Sequence, residues 1–245
     1  MVKTYALIIM IRNEIEGITR LFDQIPFDEF DEVVAIDGMS DDGSAEFLES
    51  KEIKVIVQTV NGRGQAFRDA FNNTNSDVLL FYGPDGNENP ADIIRFVQKF
   101  ERNENTGMVV ARRLGLGAVN KEDNKLIKPR KWVNISFNVI ANILWNRSDY
   151  IYDTINGFRA ITRDTWNTIK VDTDGYTVEY QSTIRCFKHN IQIVEFPTHE
   201  LQRIGSGAGS PALRTGLVFI KLLLREIGIS ISKIFKNKQC FKNVK

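Results

Sequence analysis

Residues 5–14 read YALIIMIRNE, an apolar run from Tyr5 to Ile11 that passes directly into three polar residues. The run is too short for a membrane span or a signal peptide. A short apolar run bounded by polar residues is typical of a buried β-strand. We therefore expect this stretch to be the first strand of a sheet.

Four further strand-like runs follow, and segments with helical periodicity separate them. They are Glu32–Ile36, Lys54–Gln58, Asp77–Tyr82 and Gly107–Ala111. This alternation predicts an α/β fold with a mostly parallel sheet between helices. With 245 residues, of which 42% are hydrophobic, the chain is expected to form one catalytic α/β domain.

The composition excludes several classes of function. The net charge of +1 gives no overall attraction for nucleic acid, so a nucleic-acid partner is not expected. The two cysteines, Cys186 and Cys240, lie far apart without a neighbouring Cys/His cluster, which excludes a disulfide framework and a zinc site of ordinary spacing. This cysteine usage indicates a reducing compartment, and we expect a cytoplasmic location.

Three polar, glycine-containing segments follow successive predicted strands. They are DGMSDDGS (37–44), TVNGRGQA (59–66) and GPDGNENP (83–90). Surface turns use the same residue types, so one such segment alone carries little information. Parallel sheets bind ligands beyond the carboxyl ends of their strands, and three such segments in succession predict a ligand site there.

The pattern changes after residue 203, where RIGSGAGSP is followed by an apolar segment from Leu213 to Phe235. Five charged residues interrupt that segment, which argues against a membrane-spanning helix. Residues 232–245 carry five lysines and no acid. We expect residues 1–212 to form the catalytic domain and 213–245 an amphipathic, basic helix or tail lying on an anionic membrane surface, with a core-packing helix as the alternative. The GSGAG stretch at 205–209 is predicted to be a mobile lid.

Six segments in this order resemble the family-2 glycosyltransferases of the GT-A fold, in particular the polyprenyl-phosphate (dolichyl-phosphate) mannosyl- and glucosyltransferase branch. The segments are IRNEIEGI (11–18), AIDGMSDDGS (35–44), NGRGQAFRDAF (61–71), FYGPDGNENP (81–90), DTINGFRAI (153–161) and the helix-strand unit at 175–203. The resemblance covers roughly residues 5–210. It implies an inverting transfer of a sugar from a nucleoside-diphosphate sugar to a polyprenyl phosphate or to a glycan or lipid-linked acceptor.

The donor site is predicted at the ends of neighbouring strands. The carboxylates of Glu14 and Asp37 are acceptors for the N–H and hydroxyl groups of a base and ribose. Arg63 lies between two glycines, which allow the backbone to approach a ligand while the guanidinium faces base or diphosphate. Asp85 is expected to contact the donor as well.

The resemblance also implies Mg²⁺ or Mn²⁺ held by an Asp-x-Asp motif. The matching residues are Gly83, Pro84 and Asp85, so the first aspartate is missing. We expect a metal bound by Asp85 and Asn87, with the diphosphate and water completing its coordination.

The acceptor side depends on the nucleophile, because a sugar hydroxyl needs a carboxylate base and a lipid phosphate does not. Asp153 is the predicted base, with an ordinary turn or cap role as the alternative. Guanidinium groups suit phosphate oxygens, and four are candidates for a phosphate acceptor. These candidates are Arg112, Arg113, Arg159 and Arg203.

Three other polar residues are expected to have structural roles. Glu179 is predicted to support the site, and the isolated His189 and His199 are expected to be structural. The missing aspartate at position 83 leaves a second hypothesis open, a non-catalytic nucleotide-sugar-binding domain of the same fold. A nucleotidyltransferase is a third hypothesis, but it requires a glycine-rich phosphate loop after the first strand, and IRNEIEG is not such a loop.

Overall fold

The computed structural model describes residues 2–120, 129–205 and 212–242. The chain divides into two compact units, Met1–Ala208 and Gly209–Lys245. The predicted division at 212/213 lies four residues from this boundary. Except for Gly205, the predicted lid lies outside the described residues.

A mostly parallel sheet forms the centre of the first unit, with the strand order β3-β2-β1-β4-β6-β5-β7. The strands are β1 (Tyr5–Ile11), β2 (Glu32–Asp37), β3 (Lys54–Val57), β4 (Val78–Tyr82), β5 (Thr106–Arg112), β6 (Arg159–Thr162) and β7 (Gln192–Pro197). Only β6 runs antiparallel to its neighbours β4 and β5 among these strands. The predicted α/β architecture is confirmed.

The five predicted strands agree with the structure to within one residue at each end. The strand β6 was missed because its sequence, RAIT, has no apolar, β-branched run like the KVIV of β3, and because α6 begins at the next residue. Its main-chain groups pair with two neighbouring strands, so sheet context stabilises a segment whose own sequence does not indicate a strand.

Helices cover both faces of this sheet. The helices of the first unit are α1 (Ile15–Leu21), α2 (Ser44–Ser50), α3 (Arg63–Asn73), α4 (Ile93–Arg102), α5 (Pro129–Trp145), α6 (Arg163–Ile169) and α7 (Val178–Lys188). Alternate side chains of β1 enter two separate cores, with Leu7 and Ile9 in one and Ile8 in the other. The second core contains Trp166, which stacks on Phe71 with ring centroids 4.7 Å apart.

The strand register brings the polar loops together. Ile11, the last residue of β1, pairs with Asp37 of β2, and Asp37 pairs with Val57 of β3. The helix α3 begins at Arg63, shortly after β3. The segments after β1, β2, β3 and β4 therefore meet at one edge of the sheet, as predicted from their positions.

The second unit contains one long helix, α8 (Ala212–Lys242). Several of its apolar side chains are exposed: Leu217, Val218, Ile220, Leu224 and Ile231. Among the described residues, no helix combines the length and the apolar character that a bilayer crossing requires.

Candidate active site

A cavity of about 660 Å³ opens at the edge of the sheet where the polar loops meet. Its wall comes from the segments after β1 to β4, from the segment before β6 and from the segment after β7. The charged residues lining it are Arg12, Glu14, Arg63, Asp85, Glu88, Arg113, Glu200 and Arg203. The cavity is therefore rich in both cationic and anionic groups, as a site for a charged ligand and a cation requires.

Glu14, Asp85 and Arg203 form one charged group on this wall. The guanidinium of Arg203 donates to the Glu14 carboxylate, and its Nη1 lies 3.7 Å from Asp85 Oδ2. Burial raises the pKa of Glu14 to about 7, although the charge of Arg203 opposes the shift. The structure therefore places Arg203, predicted on the acceptor side, beside two residues predicted to bind the donor.

Asp37 lies just outside the cavity wall. Its neighbours Ile36 and Gly38 line the cavity, but the Asp37 carboxylate accepts from Ser40, with Oδ1 2.5 Å from Ser40 Oγ and 3.1 Å from the backbone nitrogen. These bonds fix the loop that follows β2. A contact between Asp37 and the donor stays a prediction.

Arg63 enters the cavity from the first turn of α3, and Glu179 of α7 holds it there. The Nε group of Arg63 donates to Glu179, whose side chain is 3% exposed. A Cβ atom at Gly62 would collide with the backbone carbonyl of Asp174, and one at Gly64 would collide with that of Thr173. Glycine is therefore required on both sides of this arginine. The ion pair places Glu179 where a residue that supports the site would lie.

The candidate metal ligands lie together after β4. Asp85 Oδ1 accepts from the backbone nitrogen of Asn87 at 2.9 Å, and Oδ2 accepts from Asn87 Nδ2 at 2.8 Å. Glu88 also lines the cavity, and burial, followed by the charge of Asp85, raises its pKa to about 8. A cation would relieve the repulsion between these two carboxylates. The described residues contain no cluster of three or more His, Cys, Asp or Glu side chains suited to a metal, so a ligand would have to complete the coordination.

Arg113 is held at the cavity wall by Asp153. Arg113 Nε donates to Asp153 Oδ2 at 2.9 Å, and Nη2 donates to Oδ1 at 3.1 Å. The backbone nitrogens of Arg113 and Asn156 donate to the same carboxylate. Burial alone would raise the pKa of Asp153, but the charge and hydrogen bonds of Arg113 outweigh it and lower the pKa.

The predicted role of Asp153 as a base does not fit this geometry. Its carboxylate is fully buried, does not line the cavity and has its oxygens occupied by four donor groups. Asp153 is a positioning residue for Arg113 instead. Arg113 itself lines the cavity, as a phosphate-binding residue must, and its Nη1 lies 3.6 Å from Glu200 Oε1.

Two of the predicted acceptor-binding arginines lie away from the cavity. Arg159 is fully buried, and its guanidinium donates to the backbone oxygens of Asn156 and Glu179 and to the hydroxyl of Ser182. Burial lowers the pKa of Arg159 to about 10. Arg112 donates to the backbone oxygens of Leu114 and Leu116. Both arginines hold loops together, and the expectation that they bind the acceptor does not fit their positions.

Three charged residues of the cavity wall were not predicted from the sequence. Glu88 lies inside the segment that identified Asp85, and Glu200 lies three residues before Arg203. Arg12 lies in IRNE, and its Nη1 donates to Asn61 Oδ1 at 3.3 Å. All three lie in or beside a motif recognised in the sequence, and this position could have identified them as candidate site residues. His189 and His199 are absent from the cavity wall.

Two sequence comparisons with known proteins indicate one kind of enzyme. The sequence profile described as "Glycosyl transferase family 2" matches residues 6–142. Glycosyltransferase AglJ of Haloferax volcanii is 27% identical over 222 residues, which cover 87% of this chain and 69% of that protein.

The solved structures that resemble the fold include glucosyl-3-phosphoglycerate synthase of Mycobacterium tuberculosis. Its complex with Mn²⁺, UDP and phosphoglyceric acid gives a TM-score of 0.73 at 18% identity, covering 92% of this chain and 79% of that one. Its complex with Mn²⁺, UDP-glucose and phosphoglyceric acid gives 0.73 at 17% identity, covering 92% and 80%. At this identity, the similarity establishes the GT-A fold alone.

Proposed function

This chain belongs to glycosyl transferase family 2, and on that basis we propose that it transfers a sugar, with inversion, from a nucleoside-diphosphate sugar to a polyprenyl phosphate. The family membership makes the chain a glycosyltransferase that uses a nucleotide-sugar donor. The alternative of a non-catalytic binding domain has no support in the comparisons. The acceptor is the new part of the proposal.

The ion pair between Arg113 and Asp153 is the observation that carries the acceptor assignment. A hydroxyl nucleophile needs a base to remove its proton, whereas a phosphate monoester is already an anion at neutral pH. The carboxylate that the sequence predicts to be that base, Asp153, instead accepts two hydrogen bonds from the Arg113 guanidinium. Arg113 in turn brings a positive charge to the cavity wall, where it suits a phosphate oxygen.

A glycan or lipid-linked hydroxyl is the alternative acceptor. One observation favours it, because Glu200 lines the cavity next to Arg113 and is a carboxylate that can serve as a base. The two acceptors predict different effects of removing Glu200. Hydroxyl transfer would fall strongly in Glu200→Gln, whereas phosphate transfer would keep most of its rate.

Arg63 and Arg203 are proposed to bind the donor diphosphate. Both line the cavity, and each is held by a carboxylate, Glu179 for Arg63 and Glu14 for Arg203. Arg203 Nε is buried and has no hydrogen-bond partner within the described part of the chain, so it can donate to an anionic ligand. Positive charge at this position favours departure of the nucleoside diphosphate as the bond to the sugar breaks.

Mg²⁺ or Mn²⁺ is proposed to be held by Asp85 and Asn87. The donor set fits such a cation, because Asp85 and Glu88 are neighbouring carboxylates and an amide oxygen is a suitable further ligand. The glucosyl-3-phosphoglycerate synthase structures, which contain Mn²⁺ with UDP, support the same proposal. When bound, the cation would neutralise charge on the diphosphate.

We also propose a cytoplasmic location, with peripheral contact between the C-terminal segment and a membrane. The exposed apolar side chains of α8 and the five lysines in residues 232–245 suit an anionic lipid surface. Deletion of residues 213–245 should lower sedimentation with anionic vesicles. Unchanged sedimentation would remove this part of the proposal.

The proposed function is tested first through its donor. Thermal unfolding is measured with UDP, GDP, CMP and dTDP, each with and without Mn²⁺, because a ligand that binds only the folded state raises the unfolding temperature. Metal-dependent stabilisation by one nucleotide is expected and identifies the donor. The release of that nucleotide from its sugar conjugate should then increase when polyprenyl phosphate is added. No stabilisation by any of the four would contradict the proposed donor site.

A further inference from the structure

Gln58 directly follows β3 and is only 5% exposed, yet it lines the cavity. Its Nε2 group donates to the backbone oxygen of Gly62 at 3.1 Å and to Asp69 Oδ2 at 3.4 Å. A carbonyl and a carboxylate can only accept, so these two partners fix the orientation of the Gln58 amide. Its Oε1 accepts no hydrogen bond within the part of the chain that the structure describes, and it is not sealed in the core. Gln58 therefore offers the cavity one acceptor and no free donor.

Donor groups lie beside Gln58 on the cavity wall. Asn61 precedes Gly62, to which Gln58 is bonded, and Arg12 Nη1 donates to Asn61 Oδ1 at 3.3 Å. This bond occupies the acceptor of the Asn61 amide and leaves its Nδ2 group to donate. Among the described residues, neither Asn61 Nδ2 nor Arg12 Nη2 has a hydrogen-bond partner. The three residues Arg12, Gln58 and Asn61, which we call the Gln58 end of the cavity, thus combine one acceptor with two donor groups.

The strand order separates the Gln58 end from the proposed metal site. Gln58 follows β3 and Asp85 follows β4, and the order β3-β2-β1-β4 puts two strands between them. Three strand spacings amount to roughly 14 Å. The donor diphosphate is proposed to lie beside Asp85 and Arg203, so the base, at the other end of the nucleotide, falls at the Gln58 end. This placement rests on the proposed function.

We propose that the Gln58 end selects a pyrimidine base over guanine, with Gln58 Oε1 accepting the N–H of the base. The hydrogen-bonding edge of uracil, thymine or cytosine carries one N–H donor group and two acceptors, which match one acceptor and two donor groups on the protein. Guanine carries one acceptor and two donor groups, so one of its donors would face Arg12 or Asn61. A nearly buried polar group left without a partner costs more than a matched pair gains. The donor substrate is therefore a pyrimidine nucleoside-diphosphate sugar.

Isothermal titration of the full chain with UDP, dTDP, CDP and GDP in the presence of Mn²⁺ measures the selectivity. We expect the best pyrimidine nucleotide to bind at least about tenfold more tightly than GDP, because guanine leaves one hydrogen bond unmade. The three pyrimidines distinguish the donor that Gln58 accepts, which is the ring N–H of uracil and thymine or the amino group of cytosine. Binding of GDP as tightly as the best pyrimidine would overturn the proposal.

The contact itself is tested by changing both partners. The ligand that lacks the donor is the N3-methyl form of UDP or dTDP, or the N4,N4-dimethyl form of CDP. In the original chain this methylation should weaken binding about tenfold, and in Gln58→Leu it should have almost no effect, because the acceptor is already gone. A purely structural role for Gln58 would leave the effect of methylation equal in both chains. That outcome would overturn the role of Gln58.

Gln65→Leu is the matched control, since Gln65 Nε2 donates to the other Asp69 oxygen, Oδ1, at 2.7 Å and the residue does not line the cavity. This variant should keep the affinity and the selectivity of the original chain. Asn61→Asp, at an exposed position, covers the case in which Gln58→Leu does not fold. It replaces a donor with an acceptor and should reduce the preference for the pyrimidine over GDP about tenfold. An unchanged preference in Asn61→Asp would contradict the proposal.

Failure of the base assignment and failure of the proposed function have different signatures. Tight, Mn²⁺-dependent binding of GDP would overturn the pyrimidine assignment and leave the donor site standing. Absence of binding by all four nucleotides would overturn both.

Discussion

Asp153 binds Arg113 with both carboxylate oxygens, at 2.9 Å from Nε and 3.1 Å from Nη2, and its side chain is fully buried while that of Arg113 is 19% exposed. The relationship is asymmetric, because one partner reaches the cavity and the other does not. Arg113 can therefore touch an acceptor, and Asp153 positions Arg113.

Substitution Asp153→Asn should lower the free energy of unfolding by about 3 kcal/mol, because it leaves Arg113 without its buried counter-charge. Urea unfolding measures this loss, and Asp149→Asn, at an exposed position, is the matched control. A loss below about 1 kcal/mol would show that Asp153 contributes no more than a surface ion pair.

The stability contributed by Asp153 should depend on pH on the acid side only. In the folded state the pKa of Asp153 lies below its ordinary value of 3.8. The contribution is therefore present above the unfolded pKa and is lost as pH falls through the folded pKa. The difference in unfolding free energy between the original chain and Asp153→Asn should be constant from neutral pH to about pH 4 and shrink below it. A difference that shrinks between pH 8 and 6 would contradict the assignment.

Glu179→Gln should weaken nucleotide binding about tenfold, because Arg63 loses the charge that fixes its guanidinium in the cavity. Isothermal titration with the nucleotide identified above measures the effect. Glu46→Gln, at an exposed position of α2, should leave affinity unchanged. If Glu179→Gln lowers stability and leaves affinity intact, Glu179 supports the fold and not the donor site.

The metal proposal makes opposite predictions for two substitutions. Asp85→Asn should abolish the part of the nucleotide stabilisation that requires Mn²⁺. Gly83→Asp restores the missing first aspartate, and a Cβ atom there would meet its nearest neighbour at 3.8 Å, which is ordinary contact. That variant should bind Mn²⁺ more tightly in the presence of nucleotide. Manganese dependence that persists in Asp85→Asn would place the cation elsewhere.

Much of the fold was predictable because strand length, apolar runs and polar loops are local properties of the sequence. The ordered motifs also indicated the GT-A fold, which the comparisons confirm. The motifs pointed to Glu14, Arg63, Asp85 and Arg203, and the structure brings all four to the wall of one cavity.

The orientation of side chains was less predictable. Arg112 and Arg113 are adjacent in sequence, yet only Arg113 lines the cavity, because successive side chains at the end of a strand point in opposite directions. Arg159 belongs to a segment expected to face the acceptor but donates to backbone oxygens in the core. Tertiary packing determines which partner a charged side chain binds. The position of the residue within a motif does not reveal that partner.

The most direct test of the central claim is a competition between polyprenyl phosphate and the corresponding polyprenol, with the identified nucleotide sugar and Mn²⁺, analysed by mass spectrometry. The account predicts a sugar on the phosphate-bearing lipid alone, and a strong loss of this product in Arg113→Gln with nucleotide binding retained. Sugar transferred to the alcohol, or undiminished transfer to the phosphate in Arg113→Gln, would contradict it.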